Sequence, residues 1–141
     1  MTNPDNPNRP DRVEHRMERA YEVAATPEQV WDAIATADGI SAWMVPTRLD
    51  PQIGGAVSFD VGTFWSHGIV TDYTPTRRFA YAEPWPTTAH DLSSVTPIAT
   101  EFLIESASGG SCVIRVVTSA YGSGADWENE FFAQMIADVI P

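Results

Sequence analysis

The stretch Ala25–Trp43, ATPEQVWDAIATADGISAW, decides how the rest of the chain is read. Thr26 suits a helix N-cap, because its hydroxyl accepts from an otherwise unpaired backbone N–H, and Pro27 then sits where a missing N–H costs nothing. Gln29, three residues after Thr26, can bond back and complete a capping box, with Ala25 and Val30 at the flanking staple positions. Val30 and Ile34 are four apart, as are Trp31 and Ala35, so the predicted helix has one apolar face. Asp38-Gly39 is read as the break. A second short apolar piece follows with Ile40, Trp43 and Met44, and Pro46 ends it. Two short apolar helices need a surface to cover, and the downstream pattern is that of a sheet.

The chain has 141 residues, 43% of them apolar, which suits one domain with a sizeable core. No run approaches the length of a membrane span. The first residues, MTNPDNPNRP, lack the apolar segment of a secretory signal. One cysteine, Cys112, excludes an internal disulfide framework, and a cytoplasmic location is the expectation. The formal net charge of −11 disfavours a phosphate backbone, so no nucleic-acid partner is expected, nor a membrane. All eight basic residues are Arg.

Residues 1–12, with three prolines, read as a disordered arm, and residues 13–141 as a single domain. Val13–Ala25 alternates, with Val13, His15, Met17, Tyr21 and Val23 on one face and Glu14, Arg16, Glu18 and Glu22 on the other. Past the helix pair, Pro51 and Gly54-Gly55 mark a turn. Ala56–Val61 is a strand. Thr63–Tyr73 is another, whose unclear parity suggests a bulge. Arg78–Trp85 places Phe79, Tyr81 and Trp85 on one side, and Pro84 and Pro86 restrict it to an edge or a strand end. Thr87–Pro97 reads as a long loop. Ala99–Ser106 and Ser111–Ala120 form a hairpin, and Tyr121-Gly122-Ser123-Gly124 reads as a flexible joint. The last helix, Asp126–Ile140, carries the stripe Trp127, Phe131, Met135 and Val139, with Phe132, Ile136 and Ile140 beside it. Acidic Asp126, Glu128 and Glu130 at its start suit the helix dipole. The predicted class is α+β: a curved antiparallel sheet with two short helices after the first strand and a C-terminal helix across it.

At this level of detail the order of motifs resembles the START-like, helix-grip superfamily called SRPBCC. Within it the chain is similar to the group named after the activator of heat-shock protein 90 ATPase. The resemblance rests on Pro27-Glu28-Gln29-Val30-Trp31-Asp32-Ala33 closing at Trp43-Met44, then Gly54-Gly55. It continues with Gly68-Ile69-Val70, Tyr73-Thr74-Pro75 and Arg78-Phe79-Ala80-Tyr81. Gly110-Ser111-Cys112-Val113, Thr118–Gly122 and Trp127 complete it. It covers roughly Val13 to Pro141. The family's last helix usually runs beyond the equivalent of Ile140, so a truncated product or a short final helix is expected here. The resemblance implies a fold that hosts binding proteins, cyclases, hydrolases and chaperone regulators, and does not single out one activity.

The three histidines lie far apart without metal-ligand spacing, and one cysteine makes no zinc knuckle, so neither metal nor cofactor is expected. No nucleophile elbow or phosphate-cradling glycine loop occurs. Arg115 and Glu101 are a candidate cross-strand pair. The leading expectation is binding of a small hydrophobic or aromatic ligand between the sheet and the last helix. Its candidate lining is Trp43, Phe59, Trp65, His67, Tyr81, Phe102, Trp127, Phe131 and Met135, with His67 or Tyr81 orienting the ligand. Each of these aromatic residues also suits ordinary core packing. Two alternatives stand beside it. One is cyclase- or hydrolase-like chemistry in the same cavity with His67 as acid–base, which leaves enzymatic activity undecided. The other is a co-chaperone-like interaction module, with a protein partner or a second copy of the chain.

Overall fold

The computed structural model describes residues 12–85, 90–106 and 109–139, the last five through their backbone only. The predicted arm therefore lies outside the described residues, apart from Arg12. Seven strands form one antiparallel sheet: β1 (Val13–Val23), β2 (Thr47–Leu49), β3 (Ala56–Asp60), β4 (Trp65–Thr74), β5 (Arg78–Glu83), β6 (Ile98–Ser106) and β7 (Cys112–Gly122). Their order is β1-β7-β6-β5-β4-β3-β2, so the first strand closes beside the last. Helices α1 (Pro27–Ile34) and α2 (Ala37–Trp43) follow β1, and α3 (Asp126–Val139) follows β7. A 3-10 turn, Leu92–Ser94, lies in the loop predicted between β5 and β6. This is the predicted α+β helix-grip architecture.

The capping box forms as read: Gln29 N–H donates to Thr26 Oγ1 at 3.2 Å and Thr26 N–H to Gln29 Oε1 at 3.0 Å. The predicted break is displaced. The helices part at Ala35-Thr36, and Asp38-Gly39 lies inside α2. Thr36 caps α2, its Oγ1 accepting from Gly39 N–H at 3.0 Å and donating to the Asp32 carbonyl at 2.6 Å. Glycine is needed there for clearance. A Cβ at Gly39 would collide with the Asp32 carbonyl oxygen and sit 2.8 Å from Ala33 Cα.

Register sorts the two faces. Met17, Thr118, Thr100, Tyr81 and Val70 face one another across five strands, as do Arg19, Val116, Phe102, Phe79 and Tyr73. The bulge suspected in β4 falls between Val70 and Asp72. Inner-face side chains build two apolar clusters. The larger gathers Val30, Trp31, Ile34 and Ile40 from the helices over Val57, Phe59, Val70, Phe79, Tyr81, Phe102 and Val116. The smaller joins Trp85, Ile98 and Ala120 to Phe132 of α3. Thr100 and Thr118 are buried yet belong to neither, so a polar row runs between the clusters.

The opposite face is latched by ion pairs. Arg78 bridges Asp72 and Glu101, and its charge helps hold the Asp72 carboxyl below the usual range after the Thr74 hydroxyl. Arg115 pairs with Glu105 at 3.0 Å and lies 3.9 Å from Glu18, so the pairing expected with Glu101 is not formed. Arg78 takes Glu101 because the two lie on adjacent strands of that face.

Candidate functional site

Strand β5 and its continuation carry Tyr81, Glu83 and Trp85 at alternate positions, and a strand points alternate side chains to one face. Tyr81 and Trp85 are buried and Glu83 is half-buried. On β4, Ser66 Oγ donates to Glu83 Oε2 at 2.6 Å. Next to Glu83, Gly68 marks a close approach of β4 to β5: a Cβ there would lie 2.6 Å from the Ala82 carbonyl oxygen and 3.3 Å from Glu83 Cβ. Burial raises the Glu83 pKa above the ordinary carboxylate range, and the Ser66 hydrogen bond offsets this only in part. Burial also raises the Tyr81 phenol, the Glu83 charge adds to that, and the Thr100 hydroxyl opposes it. The result is an acid on an apolar floor with, among the described residues, one neutral donor.

A fully buried acid contrasts with it. Glu128, on α3, is fully inaccessible to solvent. Its Oε1 accepts from His15 Nε2 at 2.9 Å and from Gly124 N–H at 3.1 Å. Its Oε2 accepts from Ser123 Oγ at 2.6 Å and Ser123 N–H at 3.2 Å. Burial alone would raise its pKa, but Ser123, His15 and the backbone donors outweigh that and lower it. Glu128 is therefore a saturated structural acid that ties α3 to β1. The segment Tyr121–Gly124, read as a flexible joint, is instead the end of β7 and a clamped loop, with the missing side chain of Gly122 making room for Glu128.

The structure divides the nine residues proposed as lining. Phe59, Tyr81 and Phe102 sit in the larger cluster, where Phe59 and Tyr81 ring centres are 5.1 Å apart. Trp127 and Phe131 surround Trp85, each at 5.7 Å. Trp43 is 48% exposed, its indole N–H donating to the Ala33 carbonyl at 2.7 Å, and thus staples the two short helices. Trp65 and His67 lie on the face turned away from the helices. Arg48 stacks on Trp65 at 4.5 Å, and His67 Nδ1 is 2.9 Å from Ser58 Oγ. That separates His67 from the inner-face acid and leaves it no partner there for acid–base work. The Met135 side chain lies outside the described residues. His90 stacks on Trp127 at 4.2 Å.

The hollow expected under the last helix is closed beneath its first turns, where Trp85, Ile98, Ala120, Phe132 and His15 pack together. Two grooves open to solvent, one away from α3 and one along its edge. One, of about 670 Å³, is bounded by Pro27, Thr74, Arg77, Ile104 and Glu105. The other, of about 510 Å³, runs between β1 and α3 along His15, Met17, Arg19 and Phe132. Sequence reasoning overlooked Glu83, although the alternation that turned Tyr81 and Trp85 inward applies to it equally. Among the described residues no cluster of metal-ligating side chains occurs, and no helix is long and apolar enough to cross a membrane.

Residues 24–138 match the profile of the activator of Hsp90 ATPase homolog 1-like protein family. Comparison with curated proteins by sequence finds no match. Among solved structures, the Aha1 dimer from Colwellia psychrerythraea superposes with a TM-score of 0.65 at 14% identity, over 87% of this chain and 89% of that one. An HSP90 activator from Plasmodium falciparum gives 0.59 at 15% identity, over 73% and 71%. Norcoclaurine synthase from Thalictrum flavum, in complex with dopamine and hydroxybenzaldehyde, gives 0.61 at 15% identity, over 100% and 85%. At these identities the likeness is one of fold.

Proposed function

The chain belongs to the activator of Hsp90 ATPase homolog 1-like protein family, and from that premise we propose that it binds a small, largely apolar molecule on the inner face of its sheet, beside Ser66 and Glu83. The observation that carries this reading is the under-satisfied acid. Glu83 is half-buried on the inner face, and the single Ser66 donor among the described residues offsets only part of the cost of taking its charge from water. The polar row Thr118, Thr100 and Tyr81 gives a ligand hydrogen-bonding groups on an otherwise apolar floor. A fold neighbour, norcoclaurine synthase, has been seen with small aromatic molecules bound. Burying about 200 Å² of apolar ligand surface would contribute about 5 kcal/mol before the costs of association. The proposed unit is one domain from residue 13 onward, acting in the cytoplasm in keeping with its lone, buried Cys112.

A neutral apolar dye such as N-phenyl-1-naphthylamine should brighten saturably on the protein and be displaced by aromatic compounds that also raise the melting temperature. Absence of saturable binding overturns the reading. A second reading, docking onto an Hsp90-type ATPase, is favoured by the exposed Ile53, Val61, Phe64 and Ile69 and by the Hsp90 activator among the fold neighbours. It expects ATPase stimulation that is lost in an Ile69→Asp variant. An ATPase rate unchanged by the protein dismisses it.

A further inference from the structure

We infer that Glu83 determines the specificity of that inner-face site, and that its ligand carries a protonated amine on an apolar, ring-bearing body. The inference rests on the ligand-binding reading above and narrows it to one chemical class. Glu128 and Glu83 are held in opposite ways. Glu128 is met by four donors, the imidazole of His15 among them. Among the described residues, the half-buried Glu83 receives one neutral hydroxyl and takes part in none of the ion pairs. Arg78 and Arg48 are engaged on the opposite face, Arg78 with Asp72 and Glu101, and Arg48 with the face of Trp65. Among the described residues no cation meets this carboxylate.

The surroundings suit a cation better than an anion. Along one strand the acid stands between Tyr81 and Trp85, and aromatic faces attract cations. The adjacent strand offers the Ser66 hydroxyl, which already meets the acid, and no bulky side chain at Gly68. The Thr100 and Tyr81 hydroxyls can take part of an ammonium's remaining hydrogen bonds. The formal charge of −11 draws cations toward the whole molecule and opposes anions.

The test compares 1-naphthylmethylamine with 1-naphthylmethanol, which share ring and length and differ in charge. Each competes with the neutral dye near neutral pH, against the wild type and Glu83→Gln. The amine should bind the wild type about tenfold or more tightly than the alcohol, the size expected of one charge-assisted hydrogen bond. In Glu83→Gln, with its circular dichroism unchanged, the two should agree within about twofold, as for a neutral hydrogen bond. Equal affinities in the wild type overturn the inference on their own, whatever the variant does, and leave the ligand-binding reading standing. A preference that persists in folded Glu83→Gln also overturns it, since net charge would then be its source. If neither compound nor the dye binds the wild type, the ligand-binding reading falls and this inference with it.

Discussion

Replacing Glu128 by alanine should destabilise the protein by about 3 kcal/mol or more in urea unfolding, because the change strands several buried donors at once. His15 Nε2, Ser123 Oγ and the backbone N–H groups of Ser123 and Gly124 all end on this carboxylate. None can turn to water without opening the joint between β7 and α3. The loss should be visible as a change in Trp127 fluorescence, since Trp127 neighbours Glu128 and packs on Trp85 at the same joint. The pH dependence has a defined sign. The folded pKa of Glu128 is lowered, so its contribution is fully present above the ordinary carboxylate range, near about 4.3, and is lost as pH falls through the lower folded value. Glu128→Gln should therefore be less stable than the wild type at neutral pH, with the gap narrowing on acidification. A gap of constant size from neutral to acid would show that the charge contributes nothing.

Gly39→Ala should cost a similar amount for a different reason. Alanine normally favours a helix interior over glycine by about 1 kcal/mol, so propensity alone predicts stabilisation. Packing reverses the sign. The new Cβ would enter the Asp32 carbonyl oxygen and approach Thr36 Oγ1 to 2.8 Å, and the carbonyl is backbone that cannot swing aside. Relief requires α2 to move off α1, which breaks the Trp43–Ala33 bond and the Thr36 cap. A loss of about 3 kcal/mol is expected from overpacking of this kind. An alanine variant as stable as the wild type would mean that the two helices are not held at this crossing.

The reading of Ala25–Trp43 from sequence succeeded where short-range chemistry decides the structure. The Thr26 cap, Pro27 and Gln29 act within four residues and form as expected. Strand alternation likewise placed β1, β3, β5 and β7. Gly39 was misread because glycine signals a break as readily as a close approach, and only the helix crossing tells the two apart. The three-residue β2 was hidden, since it has too few residues to show alternation and exists by pairing with β3. Glu128 looked like a dipole partner because nothing near it in sequence announces His15, 113 residues away. For the candidate site, parity was enough to find Glu83, but it was weighed only for apolar residues. Trp65 and His67 had the opposite fate: aromatic character suggested an interior, and register with Asp60 and Ser58 put them outside.

The row of hydroxyls between the two apolar clusters bears on how a molecule could enter. Where oil meets oil across a continuous interior, parts of a protein come apart together. Here the smaller cluster shares with the larger a border of Thr118 and Thr100, which loses little on wetting. The end of the sheet beneath α3 can thus breathe on its own, with the Glu128 tether as hinge and the larger cluster undisturbed. On the ligand-binding reading, entry to the floor beside Glu83 would then need only a local opening at that end of the sheet.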